Sequence, residues 1–114
     1  MTRPDDQSLI DMIDAIERIQ EYLKHRSPED AVGDLELADA VLYRFTVLGE
    51  ATKRLSQSFR SSHPDIDWGG VIGFRNHVIH EYDNVDWAMV WSTFHDDLPT
   101  LLAKLRPLSP KESD

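Results

Sequence analysis

Apolar residues return every third or fourth position along two long stretches of this chain, and no segment alternates apolar and polar residues as a half-buried strand would. That spacing is the period of the α-helix. In the first stretch Leu9, Met12, Ile13, Ile16, Ile19 and Leu23 form one face, while Asp11, Asp14, Glu17, Arg18 and Glu21 fill the other. The pattern predicts an amphipathic helix of about five turns. In the second, Leu35, Ala38, Val41, Leu42, Phe45, Leu48, Thr52 and Leu55 make the stripe. Val47, Ala51 and Tyr43 widen it, so this helix is expected to present two surfaces, one to the core and one to a second subunit. Trp87, Val90, Trp91, Phe94 and Leu98 mark a further helix, and Leu101, Leu102 and Leu105 a last helical segment. The expected fold is all-α, an up-and-down bundle of four main helices with short extra segments, in a single domain over residues 1–114.

Punctuation refines this outline. Residues 1–7 read as a flexible lead, with Asp5, Asp6 or Ser8 capping the first helix. Ser27-Pro28-Glu29-Asp30 is a helix-start signal that Gly33 soon interrupts, and Asp34 starts the long second helix. Gly49 lies inside that helix at a cost of about 1 kcal/mol against Ala, which points to close packing of another helix there. Ser56 to Asp67 reads as a loop, with His63 extended before Pro64 and exposed. Asp67 is placed to cap a helix anchored by Trp68 and running to about His80, weak at its start because of Gly69, Gly70 and Gly73. Tyr82 to Val85 reads as a loop and Asp86 as the next cap. Pro99 is expected to end or kink the fourth helix near Asp97. Residues 107–114 read as a flexible tail.

Charge and composition exclude several classes. There is no cysteine, so disulfides, thiolate catalysis and cysteine-ligated metal are excluded. No apolar run approaches the roughly 20 residues that span a bilayer, and the amino-terminal residues are polar, so the expected location is cytoplasmic. The net charge is -9 and no basic block is present. A nucleic-acid substrate would therefore need a small local site, or a basic partner covering the acidic faces.

The candidate for such a site is Phe74-Arg75-Asn76-His77-Val78-Ile79-His80-Glu81-Tyr82. Arg75 can grip a phosphate through its planar fork of donors. His80 can move a proton near neutral pH. Tyr82 offers a hydroxyl that can hydrogen-bond or be modified. On a regular helix Asn76 and His80 share a face, whereas Arg75 and His80 stand roughly 140° apart. Either the helix loosens before Tyr82, or a two-fold dimer brings two copies of the stretch together. Structural roles are open for the same residues: Arg75 bridging Glu50 or Asp86, His80 a core histidine, Tyr82 a buried ring with one hydrogen bond. His77 reads as structural or solvated, and His25 as a complement to a helix dipole. His95-Asp96-Asp97 reads as a solvated face, and no metal site is expected. The three tryptophans read as core anchors.

These residues resemble a known family. Arg75-Asn76-X3-His80-X-Tyr82 is similar to the R-X4-H-X-Y signature of HEPN-superfamily proteins of the HepT type. Leu48-Gly49-Glu50-Ala51, Pro64-X-Ile66-X-Trp68, Val85-Asp86-X3-Val90-Trp91 and Leu98-Pro99-X-Leu101 extend the likeness over nearly the whole chain. The resemblance implies a dimeric, metal-independent endoribonuclease without a cofactor, the toxin of a toxin–antitoxin pair, acting on tRNA or mRNA. It implies Arg75 and His80 as catalytic residues. It further implies a minimal nucleotidyltransferase antitoxin of the MntA type that transfers AMP to Tyr82. By their chemistry Arg75 would hold the phosphate, His80 would act as general base or acid, and Asn76 would orient one of them. The other reading is a non-catalytic helical partner or regulatory subunit of such a nucleotidyltransferase.

Overall fold

The computed structural model describes residues 4–110, and the regular elements among them are helical. In chain order these are α1 (Pro4–Leu23), α2 (Pro28–Val32), α3 (Leu35–Arg54), α4 (Gln57–Ser62), α5 (Trp68–His80), α6 (Trp87–Ser92) and α7 (Leu98–Leu105). A 3-10 turn spans Tyr82–Asn84, and a π-helical segment, Thr93–Asp97, joins α6 to α7. Four main rods result: α1, α3, α5 and the composite α6–α7.

The apolar periodicity builds the core as expected. Leu9, Met12, Ile16, Ile19 and Leu23 of α1 are fully buried against Val41, Phe45, Leu48 and Ala51 of α3. Trp68 and Val78 of α5, Val90 and Trp91 of α6, and Leu98, Leu102 and Leu105 of α7 complete it. α3 is the central rod, with α1 on one side and α5 on the other. Asp11 near the start of α1 pairs with Arg54 at the end of α3, 3.2 Å apart, so these two rods run antiparallel.

Several local expectations change. α1 begins at Pro4, inside the stretch expected to be a flexible lead; residues 1–3 lie outside the described residues. Pro suits a first helical turn, whose N–H would have no intrahelical partner. Asp5 does not cap α1. Its carboxylate accepts from the Ser56 backbone N–H and hydroxyl, both at 2.8 Å, and ties α1 to the end of α3. The expected loop after Ser56 contains α4, because the Ser56 hydroxyl caps it at the Phe59 N–H. His63 is half-buried rather than exposed, its ring 4.7 Å from that of Phe59. Leu35 is 74% exposed, outside the stripe it was assigned to, whereas Val47 and Ala51 join the same core as the rest of α3. Tyr43 alone of the widening residues points outward, 59% exposed. His25 takes φ 61°, the left-handed position that often terminates a helix, so its backbone helps end α1. At the carboxyl end a 3-10 turn, Arg106–Leu108, packs Leu108 on the core; residues 111–114 of the expected tail lie outside the described residues.

The fourth rod does not stop at Asp97, where helical structure continues through a π segment into α7. Pro99 lies in the first turn of α7 and has no N–H for the helical ladder, and the wider π turn before it absorbs the mismatch.

Gly49 sits at a close approach of α3 and α5. A Cβ on Gly49 would lie 2.2 Å from the Arg75 Cβ and 2.4 Å from its Cγ. No side chain fits there without moving α5. Gly49→Ala should therefore destabilise the fold although it improves helix propensity. Overpacking of about 1–3 kcal/mol opposes a gain of about 1 kcal/mol, so the thermal midpoint followed by circular dichroism should fall by several degrees.

Candidate functional site

α5 presents the chemistry-bearing stretch. Asp67 caps it by accepting from the Gly70 N–H at 2.9 Å, and the Trp68 indole donates to the carbonyls of Arg60 and His63, both at 3.1 Å. The helix is continuous to His80, where the Glu81 N–H closes the last turn on the His77 carbonyl at 2.9 Å. The chain loosens only after His80, into the 3-10 turn that starts with Tyr82. Arg75 and His80 thus belong to one regular helix and keep the wide angular separation of a five-residue step.

Arg75 is the most constrained of the four residues. Its stem crosses α3 at Gly49 and its guanidinium pairs with Glu50, not with Asp86, whose carboxylate caps α6 at the Met89 N–H. It also donates to the Asn76 Oδ1 at 2.8 Å. The Arg75 side chain is only 17% exposed, and its Nε is buried without an acceptor. Asn76 and His80 are exposed, so His80 is not a core histidine. His77 is half-buried beside Phe74, with its Nε2 buried and unpartnered.

Tyr82 is not a buried ring. It is 52% exposed, and its hydroxyl donates to the Asp39 Oδ1 at 2.6 Å. That hydrogen bond raises the phenol above its ordinary ionisation range, helped by desolvation and by the charges of Asp39 and Asp83. Asp39 was not singled out in the sequence. A signal existed: Asp39 precedes Glu50 by eleven residues, about three full turns, so both project from one face of α3.

The motif lies on an open surface. A cavity of about 350 Å³ between α3, α5 and α7 is floored by Phe45, Leu48, Val71, Phe74 and Leu101, and none of Arg75, Asn76, His80 or Tyr82 lines it. Among the described residues no three His, Asp or Glu side chains converge as a metal site would require. What the surface offers is a fixed guanidinium, an exposed imidazole and an exposed phenol on a carboxylate, a set suited to gripping phosphate and moving protons. If Asp39 governs the phenol, the Tyr82 ring signals should titrate above pH 10.0, and Asp39→Ala should return them towards that ordinary value. Proton NMR of the aromatic ring reads this directly.

The chain is similar to several proteins. The family described as Ribonuclease HepT-like matches residues 12–108. A protein of Thermococcus cleftensis named "probable ribonuclease HepT" is 33% identical over 108 residues, 95% of this chain and 98% of its own length. A protein of Caldanaerobacter subterraneus named as a candidate RNase is 34% identical over 92 residues, 81% of this chain and 82% of its own length. A third, from Methanocaldococcus jannaschii and also named as a candidate RNase, is 25% identical over 93 residues, 82% of this chain and 85% of its own. No solved structure matches the chain. With a family match over most of its length and a relative one-third identical from end to end, this chain belongs to the HepT-like ribonuclease family.

Proposed function

We propose that the protein is a metal-independent endoribonuclease, the toxin of a toxin–antitoxin pair, cutting tRNA or mRNA at a site built from Arg75, Asn76 and His80. The observation that carries the reading is the pinned Arg75 guanidinium, held by Glu50 and Asn76 on the same helix as an exposed His80, in a chain of this family. The nucleophile is the RNA's own 2′-hydroxyl, which attacks the adjacent phosphorus. His80 takes or returns the proton, and the remaining Arg75 donors stabilise charge developing on the phosphoryl oxygens.

A homodimer completes the site in this reading, since Arg75 and His80 of one helix point in different directions. The outer face of α5 suits a second copy. Gly73 and His80, seven residues apart, share that face; His80 is exposed and a Cβ on Gly73 would meet nothing within 4 Å. Two copies would also bring two Arg75 and two His80 residues together at one place. The toxin acts in the cytoplasm, and a nucleotidyltransferase antitoxin of the MntA type neutralises it by AMPylating Tyr82. The adduct adds phosphate charge and bulk beside the site and repels RNA. No helix among the described residues is long and apolar enough to cross a membrane.

The net charge of -9 favours a second reading, a non-catalytic helical subunit of a nucleotidyltransferase. Cleavage of total RNA and of a tRNA pool by the unmodified chain, with a chelator present, separates the two. Arg75→Ala and His80→Ala should each slow cleavage by about 10²-fold or more. Loss of cleavage in neither variant, or no cleavage by the wild type, overturns the nuclease. Tyr82→Phe should cut RNA at the wild-type rate and escape neutralisation by the antitoxin; a Phe variant that is still silenced rules out the adduct as the switch.

A further inference from the structure

We propose that Asp39 is the proton acceptor that makes Tyr82 a competent target for nucleotidyl transfer, with α3 supplying the base and the 3-10 turn the nucleophile. The inference rests on the tyrosine-modification reading above and adds to it a residue of this chain. The Tyr82 hydroxyl points its hydrogen at the Asp39 Oδ1, 2.6 Å away, within the range of charge-assisted O–H···O⁻ bonds. Asp39 stands on α3, the central rod of the bundle, while Tyr82 is half-exposed. The pair has the arrangement of an activated nucleophile, a hydroxyl held on its base.

The charges that act on the phenol are Asp39 from α3 and Asp83 from the turn itself. Both favour the protonated phenol, so at neutral pH the attacking oxygen still carries its proton and needs a base. Asp39 is within reach to take it. In the step itself the Tyr82 oxygen forms a bond to the α-phosphorus of ATP bound by the nucleotidyltransferase. The bond from that phosphorus to the oxygen bridging the β-phosphate breaks, and pyrophosphate leaves with the bonding pair. The phenolic proton passes to the Asp39 carboxylate. Tyr43 is an internal control. It lies one turn further along α3 and is slightly more exposed than Tyr82, yet among the described residues its hydroxyl has no hydrogen-bond partner. The same chemistry therefore selects Tyr82 over Tyr43.

The test uses the full chain, its nucleotidyltransferase partner and ATP, with AMP addition timed by intact mass and located by peptide mapping. Asp39→Asn keeps an acceptor for the hydroxyl but cannot take the proton, and should slow addition at Tyr82 by about 100-fold. Asp39→Glu, which retains a carboxylate, should recover much of the rate. The deficit of Asp39→Asn should shrink by about tenfold per pH unit between pH 7 and 9, as hydroxide begins to ionise the phenol directly. A contact that merely held the turn in place would show no such pH rescue. Thermal midpoints of the three proteins are compared alongside. Addition to Asp39→Asn at the wild-type rate overturns the proposal and leaves the tyrosine switch intact. Addition to the wild type at any residue other than Tyr82, or none at all, overturns the proposal and the switch together. RNA cleavage, measured separately, reports on the nuclease in every case.

Discussion

The approach of α3 to α5 at Gly49 is the contact on which the rest of the site depends. Because Gly49 has no side chain, the Arg75 stem can lie directly across α3 and deliver its guanidinium to Glu50. With any Cβ at this point the helices would separate, and the ion pair would lose its geometry. The consequence extends along α3. Its antiparallel course past α5 sets Glu50 beside Arg75 and Asp39 beside Tyr82. One rod thus holds both ends of the motif by carboxylates roughly 16 Å apart along its axis.

Electrostatics divide the molecule into two regimes. Ion pairs such as Arg18–Asp14, Lys24–Glu21 and Arg106–Glu17 lie on the surface with half or more of most of these side chains exposed, and such pairs contribute little to stability. The apolar contact of α1 with α3 does that instead. Arg75 is different, because its side chain is largely withdrawn from water while its partner Glu50 is 42% exposed. The pair with Glu50 and the bond to Asn76 hold the terminal nitrogens of the guanidinium in a fixed orientation, while its Nε is buried without an acceptor. On a chain of net charge -9 the overall field opposes any polyanion, which is why the proposed function leans on a locally fixed guanidinium.

Much of the fold was legible in the sequence because its determinants are local. Helical periodicity located α1, α3, α6 and α7, Asp67 and Trp68 marked the start of α5, and the caps at Asp34, Asp67 and Asp86 each close on an N–H three residues along. The reading of Gly49 as a close-packing point also needed only its position inside an apolar stripe. The misreadings have packing in common, although the Ser56 cap that starts α4 is local. Pro4 and Asp5 look like a polar lead until Ser56 arrives from 51 residues away to bind the carboxylate. The segment after Ser56 looks like a loop until Phe59 finds Trp68 and His63. Pro99 reads as a helix end or a kink, and with Leu98, Leu102 and Leu105 buried in the core the rod continues through a π turn.

The site divides along the same line. The sequence by itself determined that Arg75, Asn76 and His80 ride one helix capped by Asp67, since capping and spacing act over three or four residues. It also determined the all-helical class, since its apolar period has no strand solution. Only the tertiary structure decided that Arg75 turns to Glu50 rather than to Asp86, and that Tyr82 hangs from Asp39 in the open instead of burying its ring. Those partners lie 25 and 43 residues away along the chain. Their meeting depends on how closely two helices cross, a distance fixed by packing and not by any local pattern of residues.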